Sequence, residues 1–196
     1  DAARAEADID FLREDLPALL AESQEGLSRV TKIVQDLKDF SHVDQTGHQL
    51  SDLNAAMEST LNVVWSELKY KAEVVRELGD IPEVDCVPAQ INQVFMNLLV
   101  NAAQAIETTG RITVRSGFEN QHVWFEVLDT GKGMPEEVRK RIFEPFYTTK
   151  PVGKGTGLGL SIVRNIVQQH GGTIEVLARD GGGTVFEIRL PGRSGG

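Results

Sequence analysis

Asn97 and Asn101 stand four residues apart in a helically spaced stretch. Asp129 opens the turn Asp-Thr-Gly-Lys-Gly-Met-Pro (129–135), and Gly155-Thr-Gly-Leu-Gly-Leu-Ser (155–161) closes the run. The aromatic segment Phe143-Glu-Pro-Phe-Tyr-Thr-Thr-Lys150 lies between the two glycine turns. Each element suits one kind of chemistry. An amide oxygen can ligate a Mg²⁺ ion carried by nucleotide phosphates, and Mg²⁺ keeps several waters, so one protein amide suffices. A carboxylate at a strand end can accept a hydrogen bond from an exocyclic amine such as adenine N6, with Gly131 and Gly133 letting the backbone approach a flat base. Backbone N–H groups where a helix opens bind phosphate. Singly, these signals are also accounted for by a solvated helix face, a common Asp-Thr-Gly turn and surface lysines at Lys150 and Lys154. In this order they point to a nucleotide pocket under a mobile lid.

The lid is expected to be anchored by Ile142, Phe143, Phe146 and Tyr147, an apolar cluster in an otherwise polar, glycine-rich stretch, with Lys150 and Lys154 in reach of a terminal phosphate. The second glycine turn is not a Walker A loop, because no Lys-Ser/Thr follows its last glycine. It is a poor dinucleotide fingerprint, because no strand directly precedes it.

These residues need elements to hold them. Pro88–Ile106 reads as a helix with Ile91, Val94, Phe95, Leu98, Leu99, Ala102 and Ile106 on one face and Gln90, Gln93, Asn97, Asn101 and Gln104 on another. Strands are expected at His48–Leu53, Ala72–Glu77, Arg111–Ser116, His122–Leu128, Thr173–Ala178 and Thr184–Leu190. Phe118–Gln121 and the Asp180-Gly-Gly-Gly run supply hairpin turns. Further helices are expected from Asn54, as cap, to Lys69, over Pro135–Arg141, and over Leu158–His170, where Gly171-Gly172 ends the last. The mixture predicts an α/β sandwich, a mixed β-sheet with helices on one face. Ahead of it, residues 9–41 carry Ile9, Leu12, Leu16, Leu19, Leu27, Val30, Val34, Leu37 and Phe40 at spacings of mostly three or four, a long coiled-coil-like α-helix that needs a partner helix. Pro17 opens or kinks it. Ser41–Gly47 reads as a hinge. The expected division is 1–44, 45–191 and a tail at 192–196.

The chain has 196 residues, 40% hydrophobic and 25% charged, as in a soluble globular protein. A net charge of −9 argues against nucleic acid as partner, while a nucleotide with Mg²⁺ is compatible with it. No apolar run approaches the ~20 residues of a membrane helix. The single Cys86 excludes an internal disulfide and fits a reducing compartment, with the thiol acting as a small apolar side chain. The opening Asp1-Ala-Ala-Arg-Ala-Glu reads as mid-helix, so a cut fragment of a cytoplasmic region is expected, whose parent could be membrane-anchored.

With these motifs in view, the chain resembles the catalytic, ATP-binding domain of bacterial two-component sensor histidine kinases, in the wider class shared with gyrase, Hsp90 and MutL. Asn97-Leu-Leu-Val-Asn101-Ala is similar to the family's N box, Asp129-Thr-Gly-Lys-Gly133 to the G1 box, Phe143–Lys150 to the F box, and Gly155-Thr-Gly-Leu-Gly-Leu160 to the G2 box. Gly183-Thr184-Val-Phe-Glu-Ile-Arg-Leu-Pro191 is similar to the closing strand, whose threonine lies near the adenine in the family. Residues 9–41 resemble the second helix of the dimerisation and histidine-phosphotransfer hairpin, two of which make a dimeric four-helix bundle.

The resemblance implies ATP and Mg²⁺ as cofactors. Asp129, Gly131, Gly133, Met134, Gly155, Thr156, Gly157, Leu158, Gly159, Leu160 and Thr184 would contact nucleotide. Asn101 would ligate the metal, Asn97 would support the phosphates, and Lys150 and Lys154 would stabilise charge on the transferred γ-phosphoryl. The partners implied are a homodimer mate and a response-regulator receiver domain, with no nucleic acid and no membrane contact by this segment. His42, His48, His122 and His170 precede Val, Gln, Val and Gly, so none is in the family's phosphoacceptor context, and autophosphorylation by this chain is not expected. Gln104 stands where many members carry Lys or Arg. The gyrase-like ATPases place a Glu base at the position of Asn97; an amide takes no proton from water, which favours transfer over hydrolysis. A nucleotide-binding interaction module without kinase activity is the alternative.

Overall fold

The structure, a computed structural model, describes residues 13, 15–24, 26–27, 30–31, 47–151, 155–179 and 181–192. The chain divides into two units, Asp1–Val43 with Lys150–Lys154, and Asp44–Thr149 with Gly155–Gly196. In the first, residues 15–24 are helical with Pro17 inside the helix, and Leu16, Leu19, Leu20, Leu27 and Val30 are all exposed. Residues 13, 26–27 and 30–31 are helical as well; the other positions of the expected helix at 9–41, and the hinge ahead of Gly47, lie outside the described residues.

In the second unit the elements run β1 (Gln49–Ser51), α1 (Leu53–Leu68), β2 (Ala72–Leu78), β3 (Val84–Cys86), α2 (Pro88–Ala105), β4 (Gly110–Glu119), β5 (His122–Asp129), α3 (Glu136–Arg139), α4 (Gly159–Gln169), β6 (Thr173–Ala178) and β7 (Thr184–Pro191). Five strands form one mixed sheet in the order β2-β4-β5-β7-β6. β2 and β4 are parallel, and the other neighbours are antiparallel.

Strand alternation explains why helices cover one face only. Ile112, Val114, Val123, Phe125, Val127, Phe186, Ile188 and Leu190 point inward and are buried. The opposite face carries cross-strand ion pairs, Arg111–Glu73 at 3.0 Å, Arg115–Glu77 at 2.5 Å and Arg115–Glu126 at 3.6 Å. Charged pairs of this kind are satisfied by water, so that face needs no cover. The expected α/β sandwich is therefore the observed one.

The core joins α2 to the sheet. Ile91, Val94, Phe95, Leu98, Leu99, Ala102 and Ala103 are its buried side, and the Phe95 ring sits 5.0 Å from that of Phe125 on β5. Burying each of these side chains other than the two alanines contributes about 1.5–3 kcal/mol. The polar stripe of α2 stays at the rim, with Asn97 and Asn101 half-buried.

Three local expectations change. The cap of α1 is Asp52, whose Oδ1 accepts from the N–H groups of Asn54 (2.9 Å) and Ala55 (3.1 Å). Asn54 is instead a bridge: its amide donates to the Gly79 carbonyl at 2.8 Å, and its oxygen accepts from the Ser116 hydroxyl at 2.7 Å. β3, absent from the expected strands, pairs antiparallel with β1, and Cys86 within it is buried with its thiol pKa pushed up chiefly by burial, as suits an apolar filler. The β4–β5 hairpin closes through Asn120 and Gln121 alone, both at positive φ (51° and 62°), the twist that two-residue hairpin turns require. None of the described helices is long and apolar enough to cross a membrane.

Candidate functional site

The site residues expected in the second unit gather along the C-terminal half of α2, from Asn97 to Ala105. β5 delivers Asp129 at its C-terminus, inward-facing in register with Ile112, so the carboxylate is almost wholly buried, at 3% exposure. Burial raises its pKa; the Gly131 N–H, the Thr184 N–H and hydroxyl, and the Arg179 guanidinium pull it back down. The Gly131 N–H donates to Asp129 Oδ1 at 2.7 Å, an Asx turn that fixes the carboxylate's orientation. Thr184, at the start of β7, is itself buried beside it.

The first glycine turn is pressed against the C-terminal end of α2. The Lys132 N–H donates to the Ala105 carbonyl at 3.1 Å, and a Cβ on Gly131 would stand 2.5 Å from that same oxygen. Helix C-terminal carbonyls lack intrahelical partners, so this bond both satisfies α2 and locks the turn to the helix bearing the asparagines. Gly133 lies at φ +69° with Gly183 beside it, and Met134 is half-buried against the core.

Gly183 belongs to the Asp180-Gly-Gly-Gly turn ahead of Thr184 and does more than turn the chain. At φ +96°, any Cβ there would overlap the Asp129 carbonyl oxygen. The run of glycines before a strand was the available signal. Arg179, which no motif marked, donates to the same carbonyl at 3.4 Å.

The second glycine turn meets α2 near Asn97. α4 starts at Gly159, one residue later than expected, with Leu158 as its cap and no side-chain hydrogen bond capping its first N–H groups. A Cβ on Gly159 would lie 3.5 Å from Asn97 Oδ1. That places the uncapped helix start, an anion-binding arrangement, next to the first asparagine. Leu158 is buried, its N–H approaching the Thr156 hydroxyl oxygen at 3.4 Å; Gly155, Thr156, Gly157 and Leu160 are half-buried. Gly157, at φ +70°, would overlap the Phe146 backbone if it carried a Cβ, so the glycine turn and the aromatic segment interlock.

The aromatic cluster divides. Ile142, Phe143 and Tyr147 pack on the core, but Phe146, at φ 66°, is 65% exposed. Arg141 lies 4.4 Å from the Tyr147 ring and Arg164 of α4 lies 5.7 Å from the Phe143 ring. The expected four-member anchor is thus three residues plus an exposed phenylalanine whose backbone meets Gly157. Lys150 belongs to the first unit, and Lys154 lies outside the described residues.

These residues fit a nucleotide. A buried acceptor at a strand end, two glycine turns each holding a glycine with no room for a side chain, Gly131 and Gly157, and an uncapped helix start beside an amide are the features that a base and its phosphates use. The half-buried amide of Asn101 offers the hard oxygen that Mg²⁺ accepts.

Comparison with known proteins agrees. Residues 86–194 match the family described as "Histidine kinase-, DNA gyrase B-, and HSP90-like ATPase". The chain is 36% identical over 165 residues to the sensor histidine kinase ZraS of Escherichia coli K12, covering 83% of this chain and 35% of that protein. It is 44% identical over 171 residues to sporulation kinase E of Bacillus subtilis 168, covering 85% and 23%. The chain thus spans about a third or less of the curated relatives it matches. Among solved structures, the catalytic domain of histidine kinase ThkA superposes with a TM-score of 0.68 at 32% identity, covering 74% of this chain and 96% of that one. On the family match and the near-complete overlap with that catalytic domain, the chain belongs to the histidine kinase-, DNA gyrase B- and HSP90-like ATPase family, in its sensor histidine kinase branch.

Proposed function

We propose that this chain is the ATP-binding catalytic region of a sensor histidine kinase, and that it transfers the ATP γ-phosphoryl to a histidine on a dimerisation helix for relay to a response-regulator aspartate. The observation that carries the reading is the buried Asp129, aimed from the end of β5 between Gly131 and Thr184. Its free acceptor capacity suits the adenine amine, and Gly131, Gly133, Met134 and Thr184 wall the base. The α4 start, through Gly155, Thr156, Gly157, Leu158, Gly159 and Leu160, holds phosphate oxygens with N–H groups. Asn97 supports the phosphates from α2, and Asn101 holds the metal. Mg²⁺, when bound, neutralises charge on the phosphate oxygens.

Catalysis in this reading is positioning plus electrostatics. The imidazole nitrogen forms the new P–N bond as the bond from the γ-phosphorus to the bridging oxygen breaks, and ADP leaves. Lys150 and Lys154 stabilise the charge developing on the transferred group. With Asn97 where a base would stand, water is a poor competitor for the phosphoryl group. None of the four histidines in this chain has an acidic neighbour on its C-terminal side, so the acceptor is supplied by the other helix of the dimerisation hairpin, and the chain alone does not autophosphorylate. The exposed leucines of residues 15–24 and 26–27 support dimerisation through that hairpin. Histidine kinase ThkA, 29% identical over 87% of this chain, has been solved in complex with the response regulator protein TrrA, which supports a receiver domain as partner. The setting is cytoplasmic, where ATP is available.

The test supplies an acceptor hairpin in trans with γ-labelled ATP and Mg²⁺. Label on the hairpin histidine, exceeding released phosphate, supports the proposal; phosphate release without transfer replaces it with an ATPase.

A further inference from the structure

His170 joins the two helices that frame the site, at the end remote from the glycine turn. It caps the C-terminus of α4, and its Nδ1 lies 2.8 Å from the Ile166 carbonyl oxygen. Its Nε2 accepts the Val87 N–H at 3.0 Å. Val87 is the cap residue of α2, is buried, and has no side-chain cap of its own. Because Val87 can only donate, Nε2 must be unprotonated and the ring proton must sit on Nδ1, facing Ile166.

α4 therefore runs antiparallel to α2, with Gly159 beside Asn97 at one end and His170 bonded to Val87 at the other. Both intervals correspond to roughly 15 Å of helix at 1.5 Å per residue. A tie at the far end fixes how far α4 slides along α2, and that sliding sets the distance between the G2 helix start and Asn97.

We propose that His170 is a positioning residue for nucleotide binding, whose neutral imidazole holds α4 in register with α2 and whose protonation releases that register. The inference rests on the nucleotide-binding reading of α2 and α4. A proton on Nε2 would face the Val87 N–H, donor against donor, and leave a buried backbone N–H without an acceptor. The other groups acting on the ring are His48, whose ring centroid lies 5.3 Å away, and Asp85, which lies 3.8 Å from His48 Nδ1. Burial lowers the His170 pKa from 6.5, the Ile166 carbonyl raises it, a charged His48 lowers it further, and Asp85 raises it. The sign follows: a histidine with a depressed folded pKa contributes stability that is complete above 6.5 and is lost as pH falls through the folded value.

The experiment measures affinity for the non-hydrolysable analogue AMPPNP with Mg²⁺ between about pH 8 and about pH 5.5, in the parent chain, His170→Gln and His170→Ala, alongside NMR titration of the His170 ring and the Val87 amide. Glutamine keeps a neutral acceptor but does not titrate. The parent should lose about tenfold more affinity on acidification than His170→Gln, because protonation of the ring then competes with nucleotide binding. The Val87 amide should titrate with the His170 ring. His170→Ala should bind weakly at every pH; if it does not fold, the glutamine variant and the NMR titration decide. Identical pH profiles for the parent and His170→Gln, or a Val87 amide that ignores the ring titration, overturn the proposal. Failure of the parent to bind at pH 8 instead overturns the nucleotide reading, and this inference with it.

Discussion

The Gly131 N–H donates to Asp129 Oδ1 at 2.7 Å, while the Lys132 N–H one residue on donates to Ala105 at the end of α2. Two adjacent N–H groups thus tie the proposed base-reading carboxylate to the helix that carries Asn97 and Asn101. The carboxylate is held ready by the protein at a cost, because burial disfavours its charged form.

That cost gives the first prediction. A carboxyl with a raised folded pKa contributes stability that is full below its ordinary 3.8 and is lost as pH rises through the folded value. Asp129→Asn keeps an oxygen for Gly131 without the charge. The ligand-free variant should melt no lower than the parent at neutral pH, by thermal unfolding. Nucleotide affinity should fall by about 2 kcal/mol, roughly 30-fold, as expected for a lost hydrogen bond to a charged group. A variant that melts well below the parent would mean the charged form is needed for the fold.

Glycine positions separate strain from overlap. Gly181 lies at φ +87° with nothing near its missing Cβ, whereas Gly183 at φ +96° has the Asp129 carbonyl in the way. Gly181→Ala should cost about 1 kcal/mol, the left-handed penalty alone. Gly183→Ala should cost about 3 kcal/mol or more and should also lower nucleotide affinity, since relief of the overlap moves Asp129. Thermal melts and nucleotide titrations of the two variants check this; equal melting temperatures would refute the close approach.

Removing metal tests Asn101. Chelation by EDTA should weaken binding of the ATP analogue about tenfold or more in the parent, because unshielded phosphates then face the site. In Asn101→Ala the difference between Mg²⁺ and EDTA should shrink to about twofold, a comparison that isolates metal ligation from general damage. An undiminished Mg²⁺ effect would remove Asn101 from the metal's ligands.

Away from the site, Asn54 joins α1 to the strand ends through Gly79 and Ser116. Asn54→Ala leaves two partly buried partners unsatisfied and should cost about 1–3 kcal/mol, measured by denaturant unfolding. Asp52→Ala should cost about 1 kcal/mol through the lost cap. If only the Asp52 variant were destabilised, Asn54 would be an incidental bridge.

Much of this was legible in the sequence. The α2 stripe from Ile91 to Ala102 and the alternation of β5 and β7 are periodic over several turns or residues, so they identify their elements without tertiary context. β3 was not legible because three residues carry too little pattern, and its strand character comes from pairing with β1. Asn54 and Asp52 are both good cap residues two positions apart, and only the bond to Ser116, 62 residues on, separates their roles. The role of His170 was hidden for the same reason, since its partner Val87 is 83 residues away. Gly183 looked like an ordinary turn glycine because its obstacle is the backbone of another strand.

The most direct test of the central claim is calorimetric titration of AMPPNP with Mg²⁺ into this chain, beside Asp129→Ala and Asn101→Ala. The account predicts saturable one-site binding by the parent and its loss in both variants, each still folded by circular dichroism. Absence of binding by a folded parent, or equal affinity in all three proteins, would contradict it.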